Sequence, residues 1–168
     1  MKVFNLEIKR FKIRRLRLID VNFNYLNWFN VKSIKRFIGQ VKYKSVSALK
    51  LYVTSENKKK NTFFLGIFAK NTNQHIGNIK FYNISNNDRS CELGIIVGDK
   101  KWRNKNVAYE VLSACLKKLK KDFSIKVIYL GVELINFSAI KLYKKLGFKV
   151  FNRRIKGNKT ILDMKKII

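Results

Sequence analysis

The apolar residues of this chain change their spacing midway along the sequence, and this change limits the folds that the chain can adopt. Between residues 107 and 121 they recur every three or four positions and form one stripe, with lysines on the other faces, as in an amphipathic helix. The preceding apolar runs are short and are bounded by Asn, Ser and Asp, as strands are. These runs span 63–69, 75–82 and 91–98. A mixed α/β protein is therefore predicted.

The segment before these runs continues the mixture of strands and helices. Residues 11–19 alternate apolar and basic side chains, which predicts a half-buried strand. Asp20 then suits the N-cap of a helix. Helical spacing returns in pieces between 31 and 56, for example at Phe37 and Ile38, and a polar loop is predicted at 57–61.

The C-terminal part is predicted to form a strand, a helix and a hairpin. The strand covers 126–132, and the helix covers 137–146 with Gly147 as its C′ residue. The hairpin turns at residues 156–158. Because no repeat and no Pro/Gly linker interrupts the chain, residues 1–168 are predicted to form a single domain.

The net charge of +28 has two explanations. One is a partner that is a polyanion, such as nucleic acid. The other is a biased genome, because the 29 Lys, 18 Asn and 19 Ile are residues with A/T-rich codons, while proline, with G/C-rich codons, is absent. The lysines are spread along the chain, which favours genome bias. Attraction to anionic small molecules is expected in either case, and nucleic acid is expected to bind only non-specifically.

Several functional classes are excluded by what the sequence lacks. No run of 18 uncharged apolar residues occurs, which excludes a membrane-spanning helix, and no signal peptide is predicted. His75 is the single histidine, and the two cysteines, Cys91 and Cys115, form no C-x-x-C pair. A metal site is therefore not expected, and a reduced cytoplasmic protein is predicted.

Glu92 is the carboxylate that stands out among the ten in the chain. It lies inside an apolar strand, and strand alternation places it with Gly94 and Ile96 on one face, opposite Leu93 and Ile95. A carboxylate on a covered sheet face is costly unless it is paired or takes part in chemistry. Glu92 is thus either a general base or one half of a buried ion pair with a lysine.

The junction between this strand and the long helix, residues 98–111, is a candidate anion site. Free backbone N–H groups at a helix start attract anions, and Lys101, Arg103 and Lys105 add positive charge. Asn104 and Asn106 tolerate the left-handed backbone that such loops require. The alternative is an ordinary helix cap among surface lysines.

A third candidate lies in the predicted helix 137–146. Asn136 is its expected N-cap, and Tyr143, seven residues on, shares a helical face with Ala139 and Ile140. A tyrosine on a buried face is either a core residue with a satisfied hydroxyl or a functional group.

The order of these motifs resembles the GNAT superfamily of acetyl-CoA-dependent N-acyltransferases. The likeness is strongest from a strand containing ELGI, through WRNKNVAYE at a helix start, to NFSAIKLYKKLGF. It extends over nearly the whole chain, from about Arg10 onward. It implies a mostly antiparallel twisted sheet with one splayed parallel pair, flanked by helices. The segments RRLRLID and NWFNV resemble the branch with ribosomal-protein N-terminal and surface-sugar acetyltransferases.

The resemblance also implies how acetyl-CoA would bind. The family's pyrophosphate loop, Arg/Gln-x-x-Gly-x-Gly/Ala, corresponds to Arg103, Asn104, Lys105, Asn106, Val107 and Ala108, where Asn106 replaces a glycine. The pantetheine arm would pair with the backbone of Ile96, Val97 and Gly98 and contact the Asn136 and Ala139 end of the next helix.

The family chemistry assigns roles to the remaining candidates. Glu92 would accept a proton from the attacking amine, directly or through water, and Tyr143 would protonate the leaving thiolate. A backbone N–H near Ile96 or Val97 would hold the oxyanion. Trp28 and His75 are predicted substrate contacts, although His75 at a strand start also suits a turn or surface role.

The acceptor predicted first is an amino sugar, often nucleotide-linked, and the alternative is a protein N-terminus. A different class of function is a non-enzymatic RNA-binding protein on the same fold, with exposed Trp28, Tyr43 and Tyr52 stacking on bases. The protein is expected to be a monomer or a homodimer.

Overall fold

A computed structural model of the protein describes residues 3–36 and 43–168. Within these residues the strands and helices alternate in the order that the spacing of apolar residues predicts, with one additional short strand at the start. The elements are β1 (Leu6–Glu7), β2 (Phe11–Arg15), α1 (Phe23–Trp28), α2 (Lys32–Lys35), α3 (Val46–Lys58), β3 (Phe63–Ala69), β4 (His75–Ser85), β5 (Ser90–Val97), α4 (Val107–Phe123), β6 (Val127–Glu133), α5 (Phe137–Lys145), β7 (Lys149–Lys156) and β8 (Lys159–Ile167).

The described strands form one eight-stranded sheet with the order β1-β2-β3-β4-β5-β6-β8-β7. Neighbouring strands are antiparallel except for β5 and β6, which are parallel. The predicted fold class, a mostly antiparallel sheet with one parallel pair and flanking helices, is confirmed.

Each face of the sheet is covered by a separate apolar cluster. One cluster joins alternate residues of the central strands, such as Phe81 and Leu93, to the buried stripe of α4 and to Tyr143 of α5. The other joins Phe64 and Phe68 of β3 to the helices α1, α2 and α3. Because side chains alternate along a strand, Glu92 lies on the face that α1–α3 cover.

The N-terminal prediction is wrong in two details. The strand ends at Arg15, and Leu18–Asp20 form a 3₁₀ turn instead of continuing it. Asp20 does not cap α1, because its carboxylate binds the Arg14 guanidinium at 2.7 Å. Asn22 is the N-cap, with its side chain accepting a hydrogen bond from the Tyr25 N–H at 3.1 Å.

The remaining predicted elements fit the structure closely. Helices α4 and α5 begin at the predicted residues, and Gly147 follows α5 with a φ of 84°. The C-terminal hairpin turns at Gly157. Helix α3 runs to Lys58 and shortens the predicted loop. Phe37 and Ile38 lie outside the described residues.

No helix in residues 3–36 and 43–168 is long and apolar enough to cross a membrane. In the same ranges, no group of three or more His, Cys, Asp or Glu side chains is arranged to hold a metal ion.

Candidate active site

The parallel strands β5 and β6 separate soon after they begin. Their register covers Ser90 with Val127, Cys91 with Ile128 and Glu92 with Tyr129. Strand β5 continues to Val97 without further β6 partners in this register. A cleft of about 860 Å³ opens there.

The cleft has a floor and two walls of different chemistry. The floor is the β4–β5 surface with Lys80, Tyr82, Glu92, Gly94 and Ile96. We call one side the loop wall; it consists of Asn104, Asn106, Val107, Ala108, Asn136 and Ala139. The other side, the aromatic wall, consists of Tyr25, Phe29, Tyr43, Tyr52 and Phe64.

The backbone of the loop wall has the left-handed turns that its asparagines predict. Asn104 has a φ of 58° and Asn106 a φ of 61°, a region that Asn enters more readily than most residues. The asparagine at position 106 therefore adopts a conformation in which glycine is usual. The left-handed backbone that the sequence allows at Asn104 and Asn106 is thus present in the structure.

Arg103 and Arg10 fix this loop to its surroundings. The Arg103 guanidinium donates to the carbonyl oxygens of Val97, at 3.1 Å, and Gly98, at 2.7 Å. Arg10 donates to the Lys105 carbonyl at 2.8 Å and binds the Glu110 carboxylate at 2.6 Å. Part of the donor capacity of Arg103 is thus used inside the protein. The loop is joined to the end of β5 on one side and to α4 on the other.

The start of α4 is suited to hold a pyrophosphate. The side chain of its N-cap, Asn106, makes no capping hydrogen bond, and the first intrahelical bond runs from the Glu110 N–H to the Asn106 carbonyl. The N–H groups of Val107, Ala108 and Tyr109 precede that bond and belong to the unpaired first turn. These three residues line the cleft. Free N–H groups and the helix dipole together attract phosphate oxygens, so this site fits the pyrophosphate of acetyl-CoA.

The two candidate residues of the α5 region, Asn136 and Tyr143, lie at its N-cap and on its buried face. Asn136 is the N-cap, and its Oδ1 accepts from the Ala139 N–H at 3.3 Å. Tyr143 is 7% exposed, lines the cleft and packs edge-on against Phe148. Burial raises the pKa of Tyr143 to about 12. Its hydroxyl has no hydrogen-bond partner in the described part of the chain.

Glu92 is held by a neighbouring asparagine and not by a lysine. Its Oε1 accepts a hydrogen bond from Asn83 Nδ2 at 2.7 Å. Within the described ranges it forms no ion pair, so the alternative of a buried Lys–Glu pair is not found. Tyr82 is its partner across β4 and β5, and burial followed by the Glu92 charge raises the pKa of Tyr82 to about 12.

Comparison with known proteins agrees with this geometry. Residues 10–149 match the family described as "Acetyltransferase (GNAT) domain". The chain belongs to this family.

Two archaeal relatives of this GNAT domain are named N-alpha-acetyltransferase. The protein from Saccharolobus solfataricus is 44% identical over 48 residues, and that from Sulfurisphaera tokodaii is 40% identical over 48 residues. Each match spans 29% of this chain and 29% of the relative's length.

Solved structures share the fold of this GNAT domain over nearly its whole length. A spermidine N-acetyltransferase from Vibrio cholerae, in complex with CoA and spermine, has a TM-score of 0.82 at 21% identity. The alignment covers 94% of this chain and 95% of that one. A ribosomal-protein-S5-alanine acetyltransferase from Vibrio fischeri has a TM-score of 0.83 at 16% identity, over 98% and 96%.

The two predicted substrate contacts of this GNAT domain lie beneath the aromatic wall. Trp28 is 6% exposed, and its ring centroid lies 4.7 Å from that of His75. The His75 ring also contacts Tyr25 and Phe68, and burial lowers the pKa of His75 to about 4. The expected surface role of His75 is therefore wrong, and Trp28 is not exposed to stack on a base.

The predicted cofactor residues differ in how closely they approach the cleft. Ile96, Val97, Arg103 and the loop wall line it. Lys105 is exposed with its ammonium over the Trp102 ring, 6.0 Å from the centroid. Gly98 lies against the Trp28 ring.

Sequence reasoning missed three polar residues: Lys80 and Tyr82, which lie on the floor, and Asn83, which binds Glu92. The alternation of β4 carries a signal for the first two, because Asn78, Lys80 and Tyr82 fall on one face opposite Ile79 and Phe81. Asn83 gives no such signal. It approaches Glu92 because the register of β4 shifts between Tyr82 and Ser85 and Asn83 adopts a φ of 49°.

Proposed function

We propose that this chain transfers the acetyl group of acetyl-CoA to a primary amine by direct attack. The observation that carries the proposal is the position of Glu92 on the cleft floor, between the loop wall and the aromatic wall. One wall fits the cofactor, and the other leaves room for an acceptor. The acetyl-CoA thioester supplies an activated acetyl group when it is bound.

Acetyl-CoA is held by the loop wall and the separated strand. The first turn of α4 offers N–H groups to the pyrophosphate, and Asn136 and Ala139 contact the pantetheine arm. The β4–β5 register determines which β5 groups are available to that arm. Because the Gly98 N–H binds the Ile76 carbonyl, the antiparallel pattern directs the N–H of Ile96 towards β4 and that of Val97 towards the gap.

Glu92 and Tyr143 move protons in opposite directions. Glu92 accepts a proton from the amine, directly or through a water molecule, and Asn83 orients its carboxylate. The Val97 N–H stabilises negative charge on the thioester oxygen. Tyr143, with its pKa raised to about 12 by burial, is protonated at neutral pH and donates its proton to the departing thiolate.

An amino sugar, free or nucleotide-linked, is the first acceptor to consider. The half-buried rings of Tyr43 and Tyr52 in the aromatic wall line the cleft, and aromatic rings pack against the apolar face of a sugar ring. The Tyr43 and Tyr52 rings are tilted against each other with centroids 5.1 Å apart, and Tyr52 meets Phe64 edge-on with centroids 5.5 Å apart, so these rings form a continuous surface. Because both cysteines are free and buried, the reducing cytoplasm is the proposed place of action.

The α-amine of a protein N-terminus is the second candidate. It is favoured by the alignment of 48 residues, at 44% and 40% identity, with two proteins named N-alpha-acetyltransferase. On this hypothesis the aromatic wall would contact the first side chain of the acceptor peptide.

An acceptor panel tests the proposal. Purified protein with acetyl-CoA is offered amino sugars, nucleotide-linked amino sugars, polyamines and N-terminal peptides, and thiol release is measured. We expect acetylation of a primary amine, and a strong loss of it in Glu92→Gln with acetyl-CoA affinity unchanged. Failure of the wild-type protein to bind acetyl-CoA at millimolar concentration would contradict the proposal.

A further inference from the structure

Lys80 is a positive charge in the cleft floor that the transfer chemistry does not use. It lies on β4 directly opposite Gly94 of β5. A Cβ atom at Gly94 would meet nothing within 4 Å, so no side chain covers this part of the floor. The Lys80 side chain is 24% exposed and lines the cleft.

The only carboxylate that Lys80 contacts in the described ranges is one it shares with another lysine. Glu56, 4% exposed, binds Lys80 Nζ at 2.8 Å and Lys59 Nζ at 2.7 Å. Burial opposes ionisation of Glu56, but hydrogen bonds from Lys59 and Lys80 outweigh it and lower its pKa. Two ammonium groups thus face one carboxylate, and the cluster keeps a net positive charge.

Lys80 also has donors to spare. An ammonium group carries three N–H donors, and in the described residues its polar contact is with Glu56. The Tyr82 ring lies 5.0 Å from Nζ and restricts the side chain on the other side. The spare donors are available to an acceptor that lies on the floor.

From this cluster we propose that Lys80 binds an anionic oxygen group, a phosphate or carboxylate, on the acceptor. The inference rests on the proposed function and narrows its substrate class. Lys80 and Glu92 are diagonal neighbours across β4 and β5, and the Cα atoms of such neighbours are about 7–8 Å apart. The acceptor therefore carries its anionic group about one sugar ring, or one peptide residue, away from the reacting amine.

The same arrangement selects against polyamines, although spermidine acetyltransferases share this fold. A second ammonium group of a polyamine needs a carboxylate in the acceptor part of the cleft. Glu133 also lines the cleft, but it is paired with Lys159. The second ammonium group of a polyamine would thus lie near the Lys80 ammonium group and not near a carboxylate. Like charges at an interface suppress binding.

Matched acceptor pairs test the proposal. Glucosamine 6-phosphate is compared with glucosamine, and an Ala-Glu peptide with an Ala-Gln peptide, by kcat/KM. We expect the wild-type protein to prefer the anionic member of at least one pair by about tenfold or more, as a hydrogen bond to a charged group allows. The pair that shows the preference identifies the source of the anion.

Three variants separate Lys80 from its surroundings. Lys80→Met should abolish the preference, and Lys80→Arg should keep it. Lys59→Met is the matched control, because it leaves Glu56 with one lysine but removes a side chain that is not part of the cleft lining. Lys80→Glu should raise kcat/KM for spermidine. Equal preference in wild type and Lys80→Met, or no preference in the wild type, would overturn the proposal.

A binding measurement distinguishes this proposal from the proposed function. Calorimetry with glucosamine 6-phosphate and with the Ala-Glu peptide, each in the presence of CoA, reports acceptor binding without turnover. Binding that depends on Lys80 but is accompanied by no acetylation would contradict the transfer reaction and support the anion site. Binding of both ligands that is equal in wild type and Lys80→Met would contradict the anion site alone.

Discussion

A Cβ atom on Gly98 would lie 2.0 Å from two ring carbons of Trp28. The indole therefore packs directly against the backbone at the end of β5, where the Val97 and Gly98 carbonyls hold Arg103. Trp28 supports the loop wall indirectly, because it fixes the backbone of Val97 and Gly98 to which Arg103 is bound.

Substitution of Gly98 should disturb both stability and cofactor binding. Gly98→Ala forces the Trp28 ring or the strand end to move, and overpacking of this kind costs about 1–3 kcal/mol. We expect a lower free energy of unfolding in urea and weaker acetyl-CoA binding. Gly94→Ala is the control for stability, because a Cβ there meets nothing within 4 Å. Equal free energies of unfolding for Gly98→Ala and Gly94→Ala would contradict the packing argument.

The left-handed backbone at Asn106 predicts opposite effects for two substitutions. Asn106→Gly should stabilise the protein by a few tenths to about 1 kcal/mol, and Asn106→Val should destabilise it by about 1–2 kcal/mol. Acetyl-CoA affinity, measured by calorimetry, should be kept in the first and reduced in the second. The same changes at Asn73, whose φ is 54°, should alter stability without changing affinity.

Tyr143→Phe tests the acid. The ring and its contact with Phe148 are kept, so the melting temperature should change little. Loss of a general acid lowers turnover by about 10²–10⁴-fold, measured as the initial rate of thiol release under conditions where chemistry limits the rate. Tyr129→Phe removes a hydroxyl outside the cleft lining and should leave the rate unchanged. An unaffected rate in Tyr143→Phe would make it a core residue only.

Substitution of Glu92 should lower the rate strongly, and substitution of Asn83 should lower it less. Glu92→Gln removes the proton acceptor, and its loss of turnover should shrink at alkaline pH because more of the amine arrives deprotonated. Asn83→Gly keeps the positive φ but removes the hydrogen bond, worth about 1 kcal/mol or roughly fivefold in rate. Asn73→Gly, with the same backbone relief and no contact with Glu92, should not slow the reaction. Equal rates in the two glycine variants would remove Asn83 from the site.

Burial of His75 predicts a specific acid sensitivity. Its pKa falls from 6.5 to about 4 on folding, so the unfolded chain binds a proton that the folded chain does not. The free energy of unfolding should therefore fall as pH drops below about 6.5, by up to about 1.4 kcal/mol per pH unit. Urea denaturation between about pH 7 and about pH 5 checks this in the titration range of histidine. His75→Gln should flatten the slope, because the chain contains no second histidine.

Titration of the carboxylates should not contribute to the change in unfolding free energy in this pH range. The pKa values of Asp20 and Glu56 are lowered in the folded protein, because arginine and lysine partners outweigh burial. Their stabilisation is lost only as pH falls from the ordinary range of carboxylic acids, 3.8 and 4.5 in their case, towards lower values. The histidine window lies above that range.

Local signals predicted the parts of the site that depend on one element each. The stripe of α4, the N-cap at Asn136 and the left-handed turn at Asn106 follow from residue type and spacing within a few positions. Glu92 could be singled out because it alone breaks an apolar strand. These features require no knowledge of which strands are neighbours.

The rest of the site depends on contacts between distant segments. The Asn83 amide reaches Glu92 through a bulge in β4 that alternation does not reveal. Lys80 is open to the cleft because Gly94, which has no side chain, lies opposite it on β5. His75 appeared to begin an exposed strand, but Trp28 and Tyr25 from α1 enclose its ring. Asp20 could be mistaken for a helix cap because its arginine partner lies six residues earlier.

The two outer strands of the sheet determine how readily copies of this chain associate through their strand edges at high concentration. Strand β1 has two residues, and β7 has eight exposed ones, of which Lys149, Arg153, Arg154 and Lys156 are cationic. An unpaired strand edge invites pairing with another chain, and a very short strand or a row of charges discourages it. The β1 edge is thus protected because the strand is very short, and the β7 edge is protected by charge repulsion. Because salt screens repulsion but does not change strand length, crowding in concentrated salt would first bring β7 edges together.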